Sequence, residues 1–360
     1  MNDAMKPAPT PQRALSPALT VLLGLAAAVV VLAGVSFARD VIGPLAIAAV
    51  IVIICNPIRR PLDRAGWPSW ISTTIVVAVS WAILLVLAGM LAFATTEFTQ
   101  LAIAFAPDLR DTMNTAIDWL QSIGFDSQLS GAVLSFVTPT KLVGYATSLG
   151  SGLVGVLIAL FFIFAYAIFM AADASRFRHA SREFGVDAAP RIRKIATFNS
   201  SVRRYYVVNA AFGLLVAAVD GVALAIMGVP APLVWAILSF VTNFVPNIGF
   251  VLGLVPPMIL ALVVGGWPLM LGVIAVYTVA NVLLQVLIQP KFVSDAVSLS
   301  LTLSFASVLF WTFIIGPLGA ILAIPLTLLV RALILERDPQ MGWLRWLSGD
   351  RSVGSGGAGT

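Results

Sequence analysis

Asp220 stands alone as a carboxylate in the middle of an apolar run, Ala217-Ala218-Val219-Asp220-Gly221-Val222-Ala223. From Tyr205 to Val330 the only other formal charges are Lys291 and Asp295. A carboxyl held in such surroundings is costly, and inside a membrane an ionisable group is by default a functional site. It can take up and release a proton or pair with a cation. The rival reading places Asp220 near a membrane interface, because Gly228 to Pro232 ends the helix soon after it.

Two polar stripes accompany this carboxylate. Asn209, Gly213, Val216 and Asp220 fall on one helical face, so Asn209 and Asp220 can look into a common cavity. Tyr277, Asn281, Gln285 and Gln289 recur at four-residue steps on a second helix that is otherwise apolar. Such a face rarely points at lipid. It lines a polar route or makes interhelical hydrogen bonds, which are worth roughly 0.6 kcal/mol each in membrane proteins.

The same half of the chain is interrupted at Asn243-Phe244-Val245-Pro246-Asn247-Ile248-Gly249, Pro256-Pro257, Gln289-Pro290 and Gly316-Pro317-Leu318-Gly319. Broken backbone is tolerated at membrane depth only inside protein or beside an aqueous cavity. Ser239, Thr242, Asn243 and Asn247 cluster at the first break, and Ser300, Ser304, Ser307 and Trp311 share a stripe before the last. Exposed helix ends there can bind ions or polar solutes. Serine and threonine can equally well just satisfy the freed backbone. The combination predicts a transporter with its substrate path in this half.

The elements that must position these residues follow from composition. The chain is 60% hydrophobic and 10% charged, with a mean hydropathy of +1.01, which defines a polytopic, all-α membrane protein. About 20 apolar residues cross the hydrocarbon core. Charge-free runs cover 14–38, 41–58, 65–96, 142–172, 221–290 and 296–330, and the last two must fold back on themselves. They are continuously apolar, not alternating, which argues against a β-barrel. Six to eight membrane segments are expected. Ser36-Phe37-Ala38 resembles a small-residue cleavage site, but the run before it is longer than a signal-peptide core and reads as the first membrane helix.

Lys and Arg favour cytoplasmic loops. Residues 59–64 carry Arg59, Arg60 and Arg64 against Asp63 and are expected inside. Residues 95–146 carry Glu97, Asp108, Asp111, Asp118 and Asp126 against Arg110 and Lys141 and are expected outside. Residues 173–204 hold a large excess of Arg and Lys and are expected inside, where anionic lipid headgroups suit them. The resulting organisation has a cytoplasmic tail over 1–16, membrane helices 1–3 over 17–94 and an outer amphipathic helical segment over 95–146. Membrane helix 4 follows over 147–172, then the basic cytoplasmic segment 173–204, a translocation unit over 205–333 and a cytoplasmic, disordered tail over 334–360. Within the translocation unit, 205–227 crosses outward, 231–264 forms a hairpin bent at Pro246 to Gly249, 268–289 crosses back, and 298–330 forms a hairpin bent at Gly316, Pro317 and Gly319. Full spans in place of hairpins satisfy the same charge rule. A helix followed by a broken hairpin, twice, is the pattern of an inverted repeat with its site near the midplane.

In 95–146, Leu109, Met113, Ile117 and Leu120 lie at helical spacing, with Asp111, Asn114, Asp118 and Gln121 between them. Short amphipathic helices at the outer surface are expected, as a connector or oligomer contact before ligand capture. A single cysteine, Cys55, and a single histidine, His179, exclude a disulfide framework and disfavour a metal site. No nucleotide-binding loop or hydrolase elbow is present, so no cofactor and no enzyme activity are expected. The excess of basic residues sets membrane orientation and is not a nucleic-acid signal.

The segment from Asn243 to Gly249 followed by Pro256-Pro257, then Asn281 before Pro290, Trp311, Gly316 to Gly319 and Ile324-Pro325-Leu326-Thr327, resembles the autoinducer-2 exporter family, also called the PerM-like permeases. The resemblance implies a bacterial inner-membrane protein with both termini cytoplasmic that exports small molecules, autoinducer-2 being the name-giving substrate. It also implies a homo-oligomer. Other relatives look like sodium(lithium)/proton antiporters. Relatives often carry Glu where this chain has Gln289, and antiporter-like members an acid where it has Asn243, which leaves Asp220 as the main buried acid. The expected route is lined by Asp220, Asn209, Asn243, Asn247, Tyr277, Asn281, Gln285 and Gln289. The leading expectation is proton-coupled export of a small polar organic molecule, with sodium(lithium)/proton antiport and a membrane scaffold or regulatory role as alternatives.

Overall fold

The computed structural model describes residues 16–122, 144, 153–177, 185–246, 248–289, 292 and 299–334. The expected tails at both ends, the far part of the 95–146 segment, Asn247 and His179 lie outside the described residues. Every element among the described residues is helical, and four helices are long and apolar enough to cross a membrane.

Helix α1 (Pro17–Phe37) starts with proline at its first position and Ser16 accepting the Leu19 N–H at 3.3 Å. Helix α2 (Arg39–Cys55) packs on α4 (Ser69–Ala104) and α6 (Leu153–Phe177) through a core of Ala48, Cys55, Val76, Leu84, Ile163 and Ala167. Between α2 and α4 the expected basic loop is a short 3-10 turn followed by α3 (Arg59–Arg64). Arg59 is buried there, 3.5 Å from Asp63, and donates to the hydroxyl of Ser69. It ties the turn together instead of standing in the loop as a free charge.

Two helices run further than the hydropathy pattern predicts. Helix α4 continues past residue 94 to Ala104, because Phe98, Leu101 and Phe105 have an apolar wall to pack on around Trp235 and Leu260. At 1.5 Å per residue it is about 54 Å long and overshoots a hydrocarbon core of about 30 Å. Helix α7 (Gly185–Ile226) begins inside the basic segment, where Phe198 and Val202 already join a core with Tyr206, Leu322 and Leu328. Helix α5 (Ala106–Ser122) is amphipathic as expected: Leu109 is buried, while Asp108, Asp111, Asn114 and Asp118 are exposed.

Beyond α7 the chain forms two broken hairpins. The first joins α8 (Pro232–Thr242) to the start of α9 (Gly249–Ala280) across a break at 243–248. Helix α9 is itself interrupted at Gly266, whose φ of 67° and ψ of −163° are open to glycine at little cost. The hairpin therefore ends there and a new crossing begins, continuing into a π-helical stretch, Asn281–Ile288. The second hairpin joins α10 (Leu301–Ile315) to α11 (Pro317–Ile334) through Gly316, with φ of 83°. Helix α8 spans only about 16 Å and α10 about 22 Å. Taken alone, both are shorter than a hydrocarbon core of about 30 Å.

Candidate substrate pathway

Helix α7 and the crossing after Gly266 place their polar stripes side by side. Asp220 and Tyr277 line one small cavity, and Gln289 Nε2 donates to Asn209 Oδ1 at 2.6 Å. The chain numbers rise on one stripe as they fall on the other, so the two helices run antiparallel with Asp220 level with Tyr277 and Asn209 level with Gln289. The eleven residues from Asn209 to Asp220 correspond to about 16 Å.

At the Asp220 level, Gly221 lets α8 come close: a Cβ there would lie 2.9 Å from that of Ala236. One turn further along α8, Ser239 donates to Asp220 Oδ2 at 2.7 Å. Asp220 is wholly buried, and its Oδ1 has no hydrogen-bond partner among the described residues. The hydroxyl of buried Tyr277 likewise has none. Buried polar groups are normally satisfied, so two orphans on one cavity call for a water, ion or substrate group. Asp220 is thus enclosed by protein on every side.

The cavity is lined by Asp220, Ser239, Thr242, Asn243, Tyr277, Asn281 and Gln285, with Gly249 and Gly253 giving its backbone wall. The free space among its lining atoms, part of it open to the outside, is about 230 Å³. The space within reach of the lining side chains holds little more than one water-sized particle.

At the other level, Asn243 lies across Gly213, where a Cβ would sit 2.6 Å from its Nδ2. The missing side chain lets Asn243 donate to the Asn209 carbonyl at 3.0 Å. Asn209, Asn243 and Gln289 thus form a hydrogen-bonded clasp joining α7, the first break and the end of the π stretch. Four residues of α-helix advance by about 400°, so a four-residue polar repeat drifts off its face. The π turn holds more residues and reverses that drift: Gln289 N–H donates five residues back, to the Leu284 carbonyl, at 2.8 Å. Such turns recur at functional sites.

The structure brings together seven of the eight expected pathway residues, Asn247 being outside the described set. Sequence reasoning missed Ser239 as the partner of Asp220, since 19 residues and a change of element separate them. It also missed the π turn, whose only signal is the four-residue period itself. At the second hairpin the polar residues do less than expected. Ser300 caps α10, Ser307 donates to the Ser304 carbonyl, and Trp311 Nε1 donates to Thr327 Oγ1 at 3.0 Å. These bonds stay within the hairpin, so the plain reading of backbone satisfaction holds there. Separately, an apolar cleft of about 580 Å³ lies between Phe98, Leu101 and Leu109 on one side and Trp235, Pro256 and Leu260 on the other.

Buried polar stripes, broken helical hairpins and an orphaned carboxylate among apolar helices fit a multi-pass membrane transporter. Residues 25–337 match the family model of the AI-2E family transporters, and the chain belongs to that family. It is 25% identical over 295 residues to the AI-2 transport protein TqsA of Escherichia coli strain K12, covering 82% of this chain and 86% of that protein. The putative transport protein YhhT of the same strain is 28% identical over 290 residues, 81% of this chain and 83% of its own. A putative transport protein of Haemophilus influenzae is 27% identical over 321 residues, 87% and 91% of the two chains. These relatives are transport proteins, not enzymes, and the chain is a transporter like them.

Proposed function

We propose that the protein is a secondary transporter of the bacterial inner membrane that exports a small polar organic molecule of the autoinducer-2 kind, with Asp220 as the proton-coupling group. The observation that carries this reading is the wholly buried Asp220 with one oxygen bound to Ser239 and the other unpartnered beside a polar cavity. Asn243, Asn281 and Gln285 supply the neutral donors and acceptors that a polyhydroxylated solute needs. The excess of Arg and Lys in 173–204 orients both termini to the cytoplasm.

Sodium(lithium)/proton antiport is favoured by a different observation, the size of the cavity, which suits a water-sized particle beside a carboxylate. Proteoliposomes containing a pH dye separate the two. Proton movement driven by autoinducer-2 and lost in Asp220→Asn is the expected result. Movement driven by sodium or lithium instead makes the protein an antiporter. Unimpaired coupled transport by Asp220→Asn removes Asp220 from the mechanism.

A further inference from the structure

We propose that the clasp of Asn209, Gln289 and Asn243 is a gate that closes the polar cavity on the side of the basic segment 173–204, and that the π stretch Asn281–Ile288 is the part that moves to open it. The proposal rests on the cavity being the route.

The two ends of the cavity are sealed by different chemistry. Beyond Asp220 the space is backed by a packed core of Leu224, Trp235 and Val273, each at most 2% exposed. Beyond Asn243 and Gln285 the seal is polar, made of the bonds Gln289 Nε2 to Asn209 Oδ1 and Asn243 Nδ2 to the Asn209 carbonyl. A packed apolar plug can open only by losing contacts. A clasp of amides can trade each bond for one to water or to a passing solute, so it opens at far lower cost. The cavity has no room for an organic molecule among its lining side chains, so some part of its wall must move.

The π stretch is suited to that movement. Gln289 reaches Asn209 while its N–H bonds to the carbonyl of Leu284. A return to α-helical bonding, with the Gln289 N–H on the carbonyl of Gln285, turns Gln289 about the axis by roughly 100° and carries its amide away from α7. The chain just beyond is held in place: Arg204 Nε donates to the Phe292 carbonyl at 3.2 Å, and the rings of Phe212 and Phe292 lie 5.6 Å apart. With that anchor on α7, the change is confined to the residues before it. Gly213 is part of the same device, because any side chain there displaces Asn243.

The protein's one cysteine, Cys55, allows a direct test. In a Cys55→Ala background, Gln285→Cys places a thiol on the cavity wall, and a membrane-impermeant maleimide is applied to reconstituted vesicles from either side. A cysteine at Ser181 marks the side of the basic segment. Gln289→Ala is expected to raise the labelling rate from that side by about tenfold, the factor one lost hydrogen bond supports, and to leave the other side unchanged. The paired exchange Asn209→Gln with Gln289→Asn, which conserves the combined reach of the two amides, is expected to restore protection. A merely structural role for the clasp predicts no such rescue.

An unchanged rate in Gln289→Ala, or a rise from the opposite side only, overturns the gate. If the Gln285 thiol labels and is protected by solute but ignores the clasp, the route stands and the gate falls. If it labels from neither side in any variant while transport of autoinducer-2 continues, the route itself is wrong and the gate falls with it.

Discussion

In the first hairpin Gly249 lies against the carbonyl of Thr242 so closely that no Cβ fits, and in the second Gly319 does the same against the carbonyl of Trp311. The two tips share one solution: a glycine in the first turn of the returning helix lets its backbone touch the end of the incoming one. What the arms hold is different. In the first, Ser239 reaches out of the hairpin to Asp220 on α7, and Asn243 reaches out to Asn209. In the second, Ser307, Trp311 and Thr312 bond to Ser304, Thr327 and Val308, all within the same hairpin. Its outer face packs on α2, where Gly43 leaves just enough room for Leu318. A polar residue at a helix break is therefore not evidence of a site by itself. The sign of a site is a bond that leaves the element and a partner that is still not satisfied.

The largest effect is expected where the two hairpins are alike. Gly249→Ala and Gly319→Ala each force a methyl into a backbone carbonyl, which the tip can relieve only by separating its arms. Each is expected to destabilise by about 3 kcal/mol or more, read as a loss of folded protein and a lowered melting temperature in detergent. Equal losses would support one architectural device used twice. A large loss at one tip alone would break the equivalence and with it the internal repeat.

The next effect falls where the hairpins differ. Ser239→Ala leaves Asp220 Oδ2 buried without its donor, a cost of roughly 1–3 kcal/mol. The expected result is a stable protein whose proton coupling is altered, measured as the ratio of protons to solute moved. Stability loss with unchanged coupling would make Ser239 a strut and nothing more.

How far this division could be read from sequence depends on the kind of signal involved. Asp220, the stripe from Tyr277 to Gln289 and the breaks at Pro246 and Gly316 stand out because a membrane chain has few polar or helix-breaking residues to spare, so each marks its own place. The interruption at Gly266 adjoins residue 264, where the first hairpin is expected to end. The lengths of α4 and α7 were not legible, since both continue through polar stretches on the strength of tertiary contacts made by Phe98 and Val202. Nor was the grip of Ser239 on Asp220, or that of Asn243 across Gly213. Those depend on how closely two helices approach, which residue types set but do not display. The π turn lies furthest from view, because it changes hydrogen-bond partners without changing any side chain.

The smallest effect tests the quieter hairpin. Thr327→Val keeps the shape of the side chain and removes the acceptor of Trp311 Nε1, leaving a buried indole N–H without its partner. The cost is expected to be about 1 kcal/mol; Trp311→Phe should cost more, since it also empties buried volume, and adding Thr327→Val to it should cost little further because the bond is already gone. Flux of solute should stay at the level of the unmodified protein in all three. A fall in flux comparable to that of Ser239→Ala would mean that the second hairpin also faces the route. The contrast between the hairpins would then be one of chemistry alone, with a carboxylate in one arm of the path and a hydroxyl–indole pair in the other, and the repeat would be functional as well as architectural.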